Sequence, residues 1–147
     1  MRALIQRVDF ASVTVGDHVN GTIKKGLLAF VGFSDKDNFQ NLEWMLNKIL
    51  RLRIFEDDQG KMNRSLTDVK GQLLVVSQFT LYGDCRKGNR PNFMSAASPD
   101  LARKLYDQFV SLARGKFPHA VEEGSFGEMM KVRLQNDGPV TLWLEKE

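Results

Sequence analysis

Two short segments of the sequence place polar residues where the surrounding pattern predicts regular structure. The first follows the apolar run Leu73–Val76 and reads Ser77-Gln78-Phe79-Thr80. Polar groups at the end of a buried strand must be hydrogen-bonded or serve a ligand. The second segment reads Asn136-Asp137-Gly138-Pro139. Asp-Gly favours a tight hairpin turn, but the proline after it removes a donor from strand pairing, so a plain connecting turn is the simpler interpretation.

Conventional catalytic side chains are scarce in this sequence. Of its two histidines, His18 falls at a predicted hairpin turn and His119 in a loop, whereas a triad needs a histidine held between a nucleophile and a carboxylate. The single cysteine, Cys85, has cationic neighbours that favour the thiolate but no partner base. These residues also lack zinc-type ligand spacing, and we predict neither a metal nor another cofactor.

The formal net charge of +3 permits a polyanionic partner without requiring one. A cationic segment follows the predicted central strand and reads Arg86-Lys87-Gly88-Asn89-Arg90-Pro91. It is not a P-loop, because the Gly-Lys-Ser/Thr ending is missing. A solvated surface and contact with nucleic-acid phosphates are both compatible with this segment.

The pattern of apolar residues predicts one α/β domain over residues 1–147, with the order hairpin, strand, helix, two strands, helix and two strands. We expect mixed, largely antiparallel sheets with two helices packed outside; periodicity does not say whether the sheet closes into a barrel. The predicted strands are 11–15, 19–23, 26–33, 53–56, 73–76, 130–134 and 140–144. The first helix is predicted over 35–51 behind Ser34-x-x-Asp37, and the second begins at Ser98-Pro99 and ends at Gly115.

The apolar runs also bear on location. No run approaches the roughly 18 residues that a membrane span needs. The segment Met1–Val8 turns polar after two apolar residues, so it is predicted to be a first strand rather than a signal peptide. A lone cysteine suits a reducing compartment, and we expect a cytoplasmic protein.

Taken together, the two polar segments resemble the D-aminoacyl-tRNA deacylase family. Gly71 to Leu81 is similar to the central motif of that family, and Asn136 to Thr141 to its C-terminal one. The resemblance covers nearly the whole chain, through Ile5-Gln6-Arg7-Val8, Ala11–Val15, Arg53-Ile54-Phe55, Gly60-Lys61-Met62-Asn63, Arg90-Pro91 and Phe126-Gly127. It implies the fold of that family, with a barrel-like sheet and two outer helices.

The resemblance implies a cytoplasmic homodimer that cleaves the ester between a D-amino acid and the 3′ end of tRNA. Gly138-Pro139 is then a cis dipeptide that reaches into the partner's pocket, where its carbonyl oxygens exclude an L side chain. The other implied roles are the bracing of that dipeptide by Arg7, with Asn136 in the same motif, and contact of Phe126 with the terminal adenosine. Ser77, Gln78, Phe79 and Thr80 shape the cleavage site, and the cations expected to contact tRNA are Arg86, Lys87 and Arg90.

This reaction needs no strong nucleophile, because an aminoacyl ester is already activated. Backbone N–H groups near Phe79 and Thr80 are expected to hold the oxyanion while water attacks. The 2′-OH of the terminal ribose and the Thr80 hydroxyl are both candidates for activating that water. Two positions depart from the family pattern, Asn92 in place of serine and Glu128 in place of a small residue, and both bear on tRNA contacts.

Three other functions compete with this one. A related deacylase that removes misplaced L-amino acids is disfavoured by Ser77-Gln78 and by Gly138 to Thr141, which match the D-specific pattern. An RNA-binding module using Arg86 to Arg90 lacks a motif of interleaved aromatic residues. A serine hydrolase using Ser77 lacks a nucleophile elbow and a suitable histidine.

Overall fold

The computed structural model describes all residues, 1–147, and contains eight strands and two α-helices. The strands are β1 (Arg2–Val15), β2 (His18–Ile23), β3 (Gly26–Gly32), β4 (Phe55–Glu56), β5 (Met62–Arg64), β6 (Gln72–Ser77), β7 (Val121–Glu123) and β8 (Met130–Glu145). The helices are α1 (Phe39–Arg51) and α2 (Pro99–Lys116), and a short 3-10 helix spans Phe79–Tyr82. Neither α-helix has the length and hydropathy that a membrane-spanning helix requires.

Six strands form one mixed sheet in the order β2-β1-β3-β6-β7, with β8 paired along the length of β1. The pairs that β1 makes with β2, β3 and β8 are antiparallel, whereas β3-β6 and β6-β7 are parallel. The prediction of a mixed, largely antiparallel sheet is therefore confirmed. β6 lies between β3 and β7, as its apolar run Leu73–Val76 predicts for an interior strand.

The two ends of this strand order approach one another, so the sheet is nearly closed into a barrel. A Cβ at Gly21 in β2 would lie only 2.7 Å from the carbonyl oxygen of Glu123 in β7. Only a residue without a side chain allows the two backbones to come this close. Inside the barrel is a small apolar core, made by Val8, Ala11, Val13, Ile23, Leu28, Leu74 and Val76.

A larger core fills the space between the outside of the sheet and the two helices. Leu73 and Val75 belong to this outer core, whereas Leu74 and Val76 face the barrel interior. Because successive side chains of a strand point to opposite faces, β6 is buried on both sides. Because the apolar part of β6 is buried, a ligand can contact this strand only at the polar residues that follow Val76.

The first helix begins later than the sequence predicts. It starts at Phe39 and not at 35, and the side chain of Asn38 accepts a hydrogen bond from the N–H of Asn41. The Ser34 N–H and hydroxyl both donate to a carboxylate oxygen of Asp37, which closes a turn before the helix. The second helix begins with Pro99 after Ser98, as predicted, although the Ser98 side chain makes no capping hydrogen bond.

The predicted turn at residues 137–139 is wrong, because β8 continues on both sides of it. Val8 pairs with Asn136 and Gln6 pairs with Thr141, so only Arg7 stands opposite residues 137–140. These extra residues of β8 interrupt its pairing register with β1. They do not reverse the chain, because both halves of β8 pair with the same strand, β1. We call residues 137–140 the β8 excursion. The Gly138–Pro139 peptide bond within it is cis, as the family resemblance implies.

Candidate functional site

A cavity of about 500 Å³ lies where β3 and β6 end, beside the first turn of α2. Both strands run in the same direction, so their carboxyl ends meet at one edge of the sheet. The lining comes from four parts of the chain: Val31–Phe33, Ser77–Phe79, Phe93 with Ala96–Pro99 and Ala102, and Phe126-Gly127. The structure thus brings together four of the predicted site residues, Ser77, Gln78, Phe79 and Phe126.

The cavity lining contains no acid, base or thiol. His119 lies edge-on to Phe117 just beyond the far end of α2, and that helix is about 27 Å long at 1.5 Å per residue. His18 is exposed at the start of β2. Ser77 therefore has no histidine within reach, and a serine–histidine mechanism does not fit this site. Likewise, no group of three or more His, Cys, Asp or Glu side chains is placed to hold a metal.

Thr80 is exposed in the 3-10 helix and is not part of the cavity lining. Its hydroxyl oxygen accepts a hydrogen bond from the side-chain amide of Gln78, which does line the cavity. The backbone N–H groups of Phe79 and Thr80 donate to no acceptor within the protein. These are the first two residues of the 3-10 helix, where N–H groups have no partner within a helix.

Aromatic rings form the wall on two sides of the cavity. The Phe79 ring, 57% exposed, meets the Phe93 ring edge-on with centroids 5.2 Å apart. Phe126 lies 5.6 Å from Tyr106, a buried residue of α2 whose hydroxyl donates to the carbonyl oxygen of Val75. Burial raises the pKa of Tyr106 well above its usual range, with Glu123 adding to the shift, so the hydroxyl stays protonated as a donor.

The remaining predicted site residues form a second cluster around the β8 excursion. Arg7 is buried, and its Nη1 donates to the carbonyl oxygen of Ile54 at 2.6 Å. Its Nε lies 3.0 Å from Oδ2 of Asp137, but the N–H is not aligned with that oxygen. The contact is therefore an ion pair and not a hydrogen bond, and it holds the excursion against β1.

Asn136 closes the base of the excursion. Its side-chain amide donates to the carbonyl oxygens of Arg7, at 2.9 Å, and Val140, at 3.0 Å. The hydroxyl of Thr141 donates to the amide oxygen of Asn136 at 3.2 Å. One side chain thus ties together both ends of the excursion and the neighbouring strand, and Gly138 and Pro139 stay exposed at its tip.

The excursion does not line the cavity of its own chain. On β3, Leu27 pairs with Arg7, whereas Val31 lines the cavity four residues further along. At about 3.3 Å per residue, the position of Arg7 is separated from the nearest lining residue of β3 by about 13 Å along the strand. One chain therefore holds two clusters of site residues that do not meet.

The cationic loop begins and ends beside the cavity. An antiparallel bridge between Asp84 and Asn92 closes it, and the next residue, Phe93, lines the cavity. Arg86 binds the carboxylate of Asp84, whose pKa its side chain lowers to about 2. Lys87 and Arg90 are exposed and form no ion pair, so their charges are free to meet an anion.

The two departures from the family pattern have local explanations. The side-chain oxygen of Asn92 accepts a hydrogen bond from the N–H of Met94 at 2.8 Å, a role that serine also fills in turns. Glu128 is exposed and lies outside the cavity lining, whereas its neighbours Phe126 and Gly127 line it. Neither side chain enters the cavity.

Sequence reasoning missed several residues of this site. Phe93 and Ala97 line the cavity from a segment whose composition gave no signal, and Arg103 in α2 contacts Phe126. Arg2 donates to the carbonyl oxygen of Leu81 and covers the Tyr82 ring at 4.4 Å, so it anchors the 3-10 helix. All these contacts join residues that are far apart in sequence, and no local sequence pattern predicts them.

Comparison with known proteins agrees with this geometry. Residues 4–145 match the family model described as D-Tyr-tRNA(Tyr) deacylase. A D-aminoacyl-tRNA deacylase of Petrotoga mobilis is 55% identical over 147 residues, covering 100% of this chain and 98% of the relative. The chain therefore belongs to the D-Tyr-tRNA(Tyr) deacylase family.

Solved structures share the fold as well. A protein described as c-Myc DNA Unwinding Element Binding Protein is 42% identical, with a TM-score of 0.95 and coverage of 100% of this chain and 99% of that one. A probable eukaryotic D-amino acid tRNA deacylase, 23% identical, aligns with a TM-score of 0.80 and 97% coverage of both chains. The second likeness shows the fold alone, and both agree with a nearly closed mixed sheet and two helices.

Proposed function

We propose that this protein hydrolyses the ester between a D-amino acid and the 3′ end of tRNA, a proofreading step that recycles tRNA. The observation that carries the proposal is a largely apolar cavity with no ionisable side chain in its lining. An aminoacyl ester is already activated, so orientation and stabilisation of charge suffice for its cleavage. Family membership supports the same reaction.

The proposed reaction adds water to the ester carbonyl. The carbonyl carbon gains a bond to the water oxygen, the bond to the ribose oxygen breaks, and the products are a D-amino acid and a free tRNA 3′ hydroxyl. The unpaired N–H groups of Phe79 and Thr80 are the candidates for holding the oxyanion. One such donor is commonly worth a factor of about 10² to 10³ in rate.

Activation of the water is assigned to the 2′-OH of the terminal ribose and not to Thr80. The Thr80 hydroxyl already accepts a hydrogen bond from Gln78, and no base among its hydrogen-bond partners could take its proton. Phe126 is proposed to contact the terminal adenosine, and the free charges of Lys87 and Arg90, with Arg86 beside them, are proposed to contact tRNA phosphates.

Selection against L-amino acids is assigned to the β8 excursion of a second chain. Gly138 and Pro139 are exposed and do not line the cavity of their own chain, and β8 pairs with β1 alone, so its other edge is free. In the proposed homodimer, each excursion enters the partner's cavity and fills the space that an L side chain would need. Glycine has no side chain to exclude, so glycyl-tRNA is an expected further substrate. We place this activity in the cytoplasm, where tRNA is charged and used.

The direct test is to incubate the protein with matched D- and L-tyrosyl-tRNA and to follow loss of the ester. We expect rapid hydrolysis of the D ester with the L ester left intact. Equal loss of both esters would contradict the chiral selection and point to a deacylase of relaxed specificity. Loss of neither would contradict the enzyme and leave an RNA-binding protein.

The proposed dimer has its own test. Sedimentation equilibrium is expected to give twice the chain mass of 16.7 kDa. Dilution to a concentration where the chain is monomeric should then abolish selection between the D and L esters, because the excursion no longer meets a cavity. A stable monomer that still spares the L ester would contradict the shared site.

A further inference from the structure

The segment between β7 and β8 carries Phe126 to the cavity and is not itself part of a strand. Residues 124–129 belong to no strand, and Gly127 has a φ of +81°. Within the segment the backbone is tied by Gly124, whose N–H donates to Val75, and by the turn from Glu128 to Ser125. The position of the Phe126 ring must therefore depend on side chains that reach it from elsewhere.

Arg103 in the first turns of α2 contacts Phe126 in two ways. Its Nη2 donates to the carbonyl oxygen of Phe126 at 3.1 Å. Its guanidinium carbon also lies 4.8 Å from the centre of the Phe126 ring, within the range of a cation–π contact. One side chain thus fixes both the backbone and the ring of the same residue.

Tyr106, three residues further along α2, gives the ring a second, rigid neighbour. Its own ring is buried and held by the hydrogen bond to Val75, and it lies 5.6 Å from Phe126. Residues three apart in a helix share a face, so Arg103 and Tyr106 approach Phe126 from the same surface of α2. Of the two, the arginine is exposed whereas the tyrosine is buried, so the arginine can be replaced without opening the core.

We propose that Arg103 is a positioning residue that holds Phe126 in place for the terminal nucleoside of tRNA. The proposal rests on the function proposed above and adds a residue that acts through Phe126. Bases bind proteins by stacking on aromatic side chains, so the position of the ring affects how well a base can stack on it. Loss of Arg103 should therefore weaken substrate binding and leave the chemical step alone, since no atom of Arg103 is needed at the ester.

The first experiment separates binding from chemistry in steady-state hydrolysis of a D-aminoacyl-tRNA. Arg103→Ala should raise KM about three- to tenfold and change kcat less than twofold, in line with a cation–π contact and one hydrogen bond. Arg103→Lys keeps the positive charge but not the planar guanidinium group, so it should raise KM by less than Arg103→Ala does. Lys104→Ala is the matched control: it removes an exposed neighbouring charge and should leave KM unchanged.

A double-mutant cycle distinguishes positioning from direct contact with tRNA phosphate. If Arg103 acts through Phe126, Arg103→Ala should have no further effect on KM in a Phe126→Leu background. The same rise in KM in both backgrounds would overturn the proposal, because the arginine would then bind tRNA by itself. Urea unfolding of each variant checks that the fold is intact.

Binding of an RNA that ends in CCA and carries no amino acid gives a readout that does not depend on turnover. Fluorescence anisotropy should show weaker binding to the Arg103→Ala variant than to the wild type or to Lys104→Ala. Equal binding by all three would overturn the role of Arg103 even if the wild type is an active deacylase. Inactivity of the wild type on every ester, with RNA binding still weakened by Arg103→Ala, would reject the enzymatic function and retain the role of Arg103.

Discussion

The guanidinium of Arg7 leaves no room for a side chain at residue 138. A Cβ there would lie 2.7 Å from Nη2 of Arg7 and 3.0 Å from Cγ2 of Val140. Arg7 cannot easily withdraw, because it is buried and bonded to the carbonyl oxygen of Ile54. The shape of the β8 excursion is therefore set by an arginine on the neighbouring strand and by the absence of a side chain at Gly138.

Gly138→Ala should disturb both stability and selection. The new methyl group meets Arg7, and the φ of +114° is a conformation that L residues rarely adopt. We expect the free energy of unfolding in urea to fall by about 1–3 kcal/mol. Hydrolysis of the L ester should also rise relative to that of the D ester, because the excursion can no longer keep the shape that excludes an L side chain.

Gly16→Ala is the matched control for that substitution. Gly16 also has a positive φ, +57°, but a Cβ there meets nothing within 4 Å. It should lower stability by about 1 kcal/mol and leave the turnover of both esters unchanged. Undiminished discrimination against the L ester in Gly138→Ala would contradict the role assigned to the excursion.

Arg7→Ala should loosen the excursion and relax selection between the two esters. It removes the bond to Ile54 and leaves Asp137 without its cation. Breaking a buried ion pair costs about 3–5 kcal/mol, but Asp137 is 37% exposed, so a loss of about 2 kcal/mol is expected in urea unfolding. Hydrolysis of L-tyrosyl-tRNA should rise relative to that of the D ester.

Asp137→Asn tests the charge in that contact while keeping the size of the side chain. Because Asp137 is partly exposed to solvent, Asp137→Asn should lower the free energy of unfolding by less than Arg7→Ala does. An Arg7→Ala variant that spares the L ester as well as the wild type does would show that Arg7 supports the fold only.

Thr80→Ala should keep turnover of the D ester within about tenfold of the wild type. The variant retains the backbone N–H of residue 80, which is the proposed oxyanion donor, and loses only a hydroxyl that accepts from Gln78. Single-turnover rates on D-tyrosyl-tRNA measure the effect. A loss greater than about 10³ would instead identify the hydroxyl as the nucleophile.

The sequence predicted well those parts that depend on local pattern. The apolar run Leu73–Val76 correctly indicated an interior strand, and Ser98-Pro99 correctly marked the start of α2. The start of α1 was placed too early because Ser34 and Asp37 satisfy each other in a turn and leave the capping to Asn38. Composition alone does not distinguish these two uses of the same residues.

The parts that depend on distant contacts could not be predicted from local pattern. Asp137-Gly138-Pro139 was expected to reverse the chain, but β1 pairs with β8 on both sides of it. The wall formed by Phe93 and the contact of Arg103 with Phe126 each join segments that only the folded chain brings together. The roles of the individual site residues remain predictions that the variants above test.

The tyrosines provide a test of packing next to the site. The protein has two, Tyr82 at the end of the 3-10 helix and Tyr106 beside Phe126, and both are buried. Burial, with a smaller contribution from Asp37, raises the pKa of Tyr82 to about 12, and burial likewise raises that of Tyr106. The native state thus binds its phenolic protons more tightly than the unfolded chain, whose tyrosines ionise near pH 10.

Stability should therefore be unaffected by these groups below about pH 10 and should fall as the pH rises from about 10 towards 12. Absorbance at 295 nm should show little phenolate in the folded protein at pH 10.5, whereas the chain in urea titrates both tyrosines near pH 10. Tyr106→Phe keeps the ring against Phe126 but removes one of the two phenols, so the absorbance change of the folded protein at high pH should become smaller. Loss of the hydrogen bond to Val75 should lower the free energy of unfolding by about 1 kcal/mol. A folded protein in which Tyr106 titrates at pH 10 would show that its ring is open to solvent, and that it does not pack against Phe126 as described.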